Sequence, residues 1–179
     1  MMKRIIVVLV LFAIMATYSS CSVTLNGASI PAEMSTVDVE YFDNNALFVV
    51  NNLSQNFTEA LKQRIRSQSR LSIVRTPEAD AVFSGAIIAY NIAPVSVQAT
   101  GNGNTPPIAN ASRLTITVKV KYKPNNSKKG LEHAEGYEQE FTKTADYTGD
   151  IGSQEQALIL NITKQLTEDI FNKAFADWK

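Results

Sequence analysis

The chain has a single cysteine and a single histidine in 179 residues. One sulfur forms no internal disulfide and builds no thiolate zinc cage, and one imidazole excludes a histidine-based metal cluster. His133, in a charged stretch between strand-like segments, reads as an exposed turn residue. A surplus of charge is missing too: 17 basic residues balance 17 acidic ones, so no overall field draws the protein to nucleic acid. The spacings GxSxG, HExxH, Walker A and CxxC do not occur. The nearest approach to a phosphate loop is Gly101-Asn102-Gly103, but Pro106 stands where the third glycine of GxGxxG would be and no helical pattern follows. The residues therefore imply no cofactor, no metal and no enzymatic activity.

A membrane-spanning apolar run is likewise lacking. Residues 5–16 (IIVVLVLFAIMA) are the longest uncharged apolar stretch, well short of the roughly twenty residues a spanning helix needs. Behind the basic Lys3 and Arg4 this is the length of an export signal. Thr17-Tyr18-Ser19-Ser20-Cys21 follows, and its small residues ahead of a cysteine resemble a lipobox, although Tyr18 stands where an aliphatic residue is usual. The expectation is a signal peptide over 1–20, cleavage ahead of Cys21, and lipid attachment to Cys21. Each buried methylene of such a lipid contributes about 0.8 kcal/mol, so several acyl chains hold a domain on a membrane stably. Ser22 replaces the acidic residue that marks inner-membrane retention in some lipoproteins, which favours the outer membrane.

The rest has ordinary globular composition, 45% hydrophobic and 19% charged over the whole chain, and suits one domain. Residues 21–35, with Gly27 and Pro31, read as a lipidated spacer, and 36–179 as a single α+β domain. Alternation of Val37, Val39 and Tyr41 predicts a strand over 36–42. Asn52 and Gln55 have capping-box spacing ahead of a helix whose stripe is Leu53, Phe57, Ala60, Leu61 and Ile65. Strands are expected at 71–75 and 81–92, the second broken or edged by Pro94, before a long polar loop at 98–112. The strand at 112–123 buries Leu114, Ile116, Val118, Val120 and Tyr122 and turns out Arg113, Thr115, Thr117, Lys119 and Lys121. Residues 136–147 read as its antiparallel return. Ser153 and Gln156 have capping-box spacing before a last helix striped with Ala157, Leu158, Ile162, Leu166, Ile170, Phe171, Ala174, Phe175 and Trp178. The order predicts a two-layer sandwich, two helices packed on one face of a mixed β-sheet.

The basic stripe Arg113, Lys119, Lys121 and Lys123 is the candidate surface for lipid or polysaccharide phosphates, against the plainer reading of a solvated sheet face. Glu138 and Glu140 share a strand face; they suit cross-strand pairing with Arg113, Lys119 and Lys121 better than glycosidase chemistry. Cys21 with CSVTLNGASIP, then LSQNFTEALKQRI, RLTITVKVKY, EQEFTKTADY and EDIFNKAFADW together resemble the LptE family of lipopolysaccharide-assembly lipoproteins. That resemblance implies an outer-membrane lipoprotein, held at the periplasmic side, that plugs an LptD-type β-barrel and helps deliver lipopolysaccharide to the outer leaflet. It assigns Cys21 as the lipid attachment residue and identifies no individual basic residue. The alternative is a stand-alone periplasmic lipoprotein binding a glycan or lipid.

Overall fold

The computed structural model describes residues 30–48, 50–95 and 111–175. The leader, Cys21, residues 96–110 of the long loop and Trp178 lie outside the described residues.

The elements in chain order are β1 (Thr36–Val39), β2 (Asp43–Asn44), α1 (Leu53–Gln68), β3 (Ser72–Val74), β4 (Ala81–Val95), β5 (Ala111–Pro124), β6 (Tyr137–Thr148) and α2 (Glu155–Phe175). They form one mixed sheet in the order β3-β1-β4-β5-β6, with β2 continuing β1's side of β4. β1 runs parallel to both β3 and β4, and β2 is parallel to β4. The β4-β5 and β5-β6 pairs are antiparallel. Both helices cover the same face, α1 over β1 to β3 and α2 over β5 and β6, and they touch each other. The expected α+β two-layer sandwich is the observed fold.

The core follows from the two periodicities. In β5 the side chains of Leu114, Ile116, Val118, Val120 and Tyr122 are buried as expected, because a strand with helices on one side turns alternate residues into that layer. Leu53, Phe57, Leu61 and Ile65 of α1 are at most 1% exposed, each contributing about 1.5–3 kcal/mol by leaving water. Phe83 and Tyr122 are direct cross-strand partners, with ring centroids 4.8 Å apart, and Phe175 of α2 packs edge-on to both. One close approach required glycine: a Cβ at Gly85 would collide with the Lys119 carbonyl oxygen and stand 2.8 Å from the Phe42 ring.

Several local expectations are corrected. The first strand ends at Val39; the chain then changes phase, so Tyr41 is 59% exposed while Phe42 is wholly buried against Phe57. Neither capping box forms. Asn52 adopts φ 62° with no side-chain cap, a left-handed conformation that asparagine tolerates. Ser153 bonds instead to the Asp150 carbonyl, and a turn over 151–154 feeds α2. Along α2 the buried stripe takes in Ile159, whereas Ala157 faces solvent. β4 continues through Pro94 to Val95, where past Ile87 it has no second neighbour among the described residues, so that a proline is tolerated on that edge. The packed domain also reaches back into the expected spacer: Met34 is 1% exposed, Ile30 packs on the core and Pro31 accepts from Arg70.

Candidate functional site

The face of the sheet opposite the helices has no covering layer among the described residues. Register assigns its side chains in rows. Lys121 stands beside Glu138, Lys119 beside Glu140, Thr117 beside Thr142, Thr115 beside Thr144 and Arg113 beside Asp146. On β4 the same rows carry small or polar residues, Ser84, Ala86, Ala89, Asn91 and Ala93. The face is thus a threonine-rich floor with charge concentrated at its two ends. Thr117 and Thr142 hydroxyls are 2.9 Å apart across it.

All four stripe residues point outward and are exposed, but their surroundings differ. Arg113 holds both oxygens of Asp146 in a bidentate pair at 2.6 and 2.8 Å. That guanidinium pulls the Asp146 carboxyl below its ordinary range and is itself raised by it. Arg113 therefore answers to Asp146, not to the glutamate pair expected from sequence. Lys119 binds Glu138 diagonally at 2.8 Å, which raises the lysine and lowers the glutamate. Lys121 is 3.9 Å from the other oxygen of Glu138. Lys123 makes no ion pair among the described residues. At the Lys121–Lys123 end the face is hollowed into a groove of about 780 Å³, lined by Asp38, Glu40, Val82, Ser84, Lys121 and Lys123 and closed by residues of the turn after β5. Cys21, the candidate attachment residue, lies outside the described residues.

Two features had no clear sequence signal. The first is an apolar tip before α1: Leu47 is 99% and Phe48 67% exposed, and Leu160 of α2, beside the same cleft as Val50, is 56% exposed. The signal, visible in hindsight, is the absence of any charge between Asp43 and Glu59. The second is a buried clasp. Asp80 accepts from the backbone N–H groups and hydroxyls of Ser35 and Thr36 and from the Lys128 ammonium at 2.6 Å. Burial alone would raise its pKa; Lys128 and the Ser35 and Thr36 donors outweigh that and hold the carboxyl well below the usual range. The clasp binds the point where the N-terminal segment enters the sheet to the turn after β5. Among the described residues there is no group of side chains able to hold a metal, and no helix long and apolar enough to cross a membrane.

Among the described residues, an uncovered sheet face with charge at both ends and an apolar tip offer surfaces suited to holding a ligand or a partner. The comparisons agree in kind. The chain belongs to the LptE family, described as lipopolysaccharide-assembly, which matches residues 34–174. No curated protein matches it in sequence. Among solved structures it is similar to a protein from Xanthomonas campestris (TM-score 0.54, 8% identity, covering 83% of this chain and 86% of that one). It is also similar to a hypothetical protein from Chlamydia trachomatis (TM-score 0.50, 10% identity, 80% and 99% covered). The rare lipoprotein B from Shewanella oneidensis matches at a TM-score of 0.45 with 15% identity, over 78% of this chain and 92% of that one. At these identities the likeness to the first two is one of fold.

Proposed function

We propose that this chain is a non-enzymatic outer-membrane subunit, tethered through lipid on Cys21, that seats as a plug in an LptD-type β-barrel and binds lipopolysaccharide in transit to the outer leaflet. The observation that carries the reading is the family match, which spans the packed domain from Met34 through nearly all of α2. The signal-like residues 1–20 and the 21–29 segment ahead of the packed domain support a lipid-tethered module. A plug must be rigid and must offer surface that its partner covers. The single core meets the first need, and the exposed Leu47 and Phe48, neighbours in the chain, with Leu160 in the cleft beside Val50, suit the second, because large exposed apolar residues that sit together are a common mark of an interaction surface. Lipopolysaccharide phosphates are assigned to the basic stripe Arg113, Lys119, Lys121 and Lys123, acting chiefly at Lys121, 3.9 Å from its carboxylate partner, and at Lys123, which has no carboxylate partner among the described residues.

The deciding experiment is affinity recovery of the tagged full-length protein from solubilised outer membranes, with mass identification of what accompanies it. A large β-barrel in near-equal amount supports the plug; recovery of the chain alone, still able to bind lipopolysaccharide, replaces it with a free-standing lipid-binding lipoprotein.

A further inference from the structure

The groove at the Lys121–Lys123 end has a wall that the basic stripe alone does not reveal. Val82 of β4 stands beside Lys123 of β5 on one side and Asp38 of β1 on the other. One step along, the Glu40 N–H donates to the Phe83 carbonyl, which sets Glu40 level with Ser84, and Ser84 stands beside Lys121. Two rows therefore cross the open face, Asp38–Val82–Lys123 and Glu40–Ser84–Lys121. Two ammonium groups rise along one side of a floor of small, half-buried side chains, and two carboxylates rise along the other. The walls are two strand spacings apart, roughly 9.5 Å between backbones. Among the described residues no ion pair joins them, and neither Asp38 nor Glu40 pairs with Arg75, which lines the adjoining cleft. Charge of opposite sign on facing walls, with Lys121 held only by a 3.9 Å contact to Glu138 and with Lys123, Asp38 and Glu40 in no ion pair among the described residues, is complementary to a ligand that carries both signs, and it opposes a simple polyanion, whose second charge would meet the carboxylates.

We infer that this groove binds a phosphate–ammonium zwitterion of the phosphoethanolamine type, its phosphate on Lys121 and Lys123 and its ammonium on Asp38 and Glu40. This deepens the proposed lipopolysaccharide reading by naming a substituent the groove would select, and it rests on that reading only in taking the stripe as a ligand surface. The same group can arrive on a glycerophospholipid headgroup or on a decorated glycolipid.

The test is NMR titration of the full-length protein in detergent with phosphoethanolamine, ethyl phosphate and ethanolamine. Phosphoethanolamine is expected to bind about five-fold more tightly than either half-ligand, the scale of two solvent-facing ion pairs. In Asp38→Asn/Glu40→Gln that advantage should vanish while ethyl phosphate binds as well as before or better, since two repelling carboxylates are gone. Lys121→Gln/Lys123→Gln should lose ethyl phosphate. All four side chains face the groove rather than the core, and thermal melts check that each variant folds. Equal affinity for phosphoethanolamine and ethyl phosphate, or an advantage that survives loss of both carboxylates, overturns the inference. Two further arms separate the sources: capture by phosphatidylethanolamine vesicles points to the headgroup, and tighter binding of lipopolysaccharide bearing phosphoethanolamine than of the same glycolipid without it points to the decorated glycolipid. Lipopolysaccharide bound equally with and without the group, and lost with the lysines, overturns the zwitterion and leaves the lipopolysaccharide reading standing.

Discussion

Replacing Asp80 with Ala should destabilise the domain more than any other single polar change at its surface or core. Its side chain is 6% exposed, so water does not readily take its place. Two backbone N–H groups, those of Ser35 and Thr36, each 2.8 Å from one carboxylate oxygen, lose their acceptor. Each such orphan costs about 1–3 kcal/mol. The half-exposed Lys128 adds up to about 1 kcal/mol. Local relaxation returns part of this, leaving about 3–5 kcal/mol out of the roughly 5–15 kcal/mol typical of a whole domain. Asp80→Asn keeps an acceptor oxygen and should lose about half as much. In urea, with m of about 1–3 kcal/mol per molar, the alanine variant's midpoint should fall by about 2 M. Acid gives a second reading. Because the folded carboxyl titrates below its unfolded value of about 3.9, its contribution is complete above that value and is lost as the pH falls toward the folded pKa, where the unfolded chain takes the proton first. The wild type should therefore lose more stability than Asp80→Asn between about pH 5 and about pH 2. A midpoint shift under about 0.5 M for Asp80→Ala at unchanged m, or parallel acid profiles for wild type and Asn, would refute the clasp.

Cys21→Ala should move the protein from membranes to the soluble fraction, read by immunoblot after detergent-free washing; retention on the membrane contradicts lipid attachment. Leu47→Ser/Phe48→Ser should leave the unfolding free energy from urea melts within about 0.5 kcal/mol of wild type, as exposed positions do, yet cut recovery of a barrel partner; undiminished recovery removes the tip from the interface. Gly85→Ala should cost about 1–3 kcal/mol or more by thermal or urea unfolding, since the new methyl meets the Lys119 carbonyl and the Phe42 ring; a neutral result would mean that β4 and β5 separate there without penalty.

The alternation in β5 and the helical spacing in α1 were legible in the residues because a strand or helix covered on one side repeats that geometry in its sequence. So were the layer order and the basic stripe, which needs only period two. What lay beyond the sequence was anything requiring two distant segments to meet. The phase change at Glu40 to Phe42 follows from β1 ending where Phe42 turns in over Gly85, and no local pattern marks it. Capping spacing at Asn52 and Ser153 was present but unused, because the incoming chain, docked by β2 and by the 151–154 turn, arrives at the helix ends in other conformations. The face of β5 was readable; its meaning was not. Cross-strand register gave Arg113 to Asp146 and set Lys119 beside Glu140 and Lys121 beside Glu138, from where Lys119 reaches Glu138 diagonally, and sheet order brought Asp38 and Glu40, more than seventy residues away in the chain, level with Lys123 and Lys121. Periodicity is a property of one segment and can be read from it, whereas complementarity belongs to pairs of segments and exists only once the sheet has chosen its neighbours.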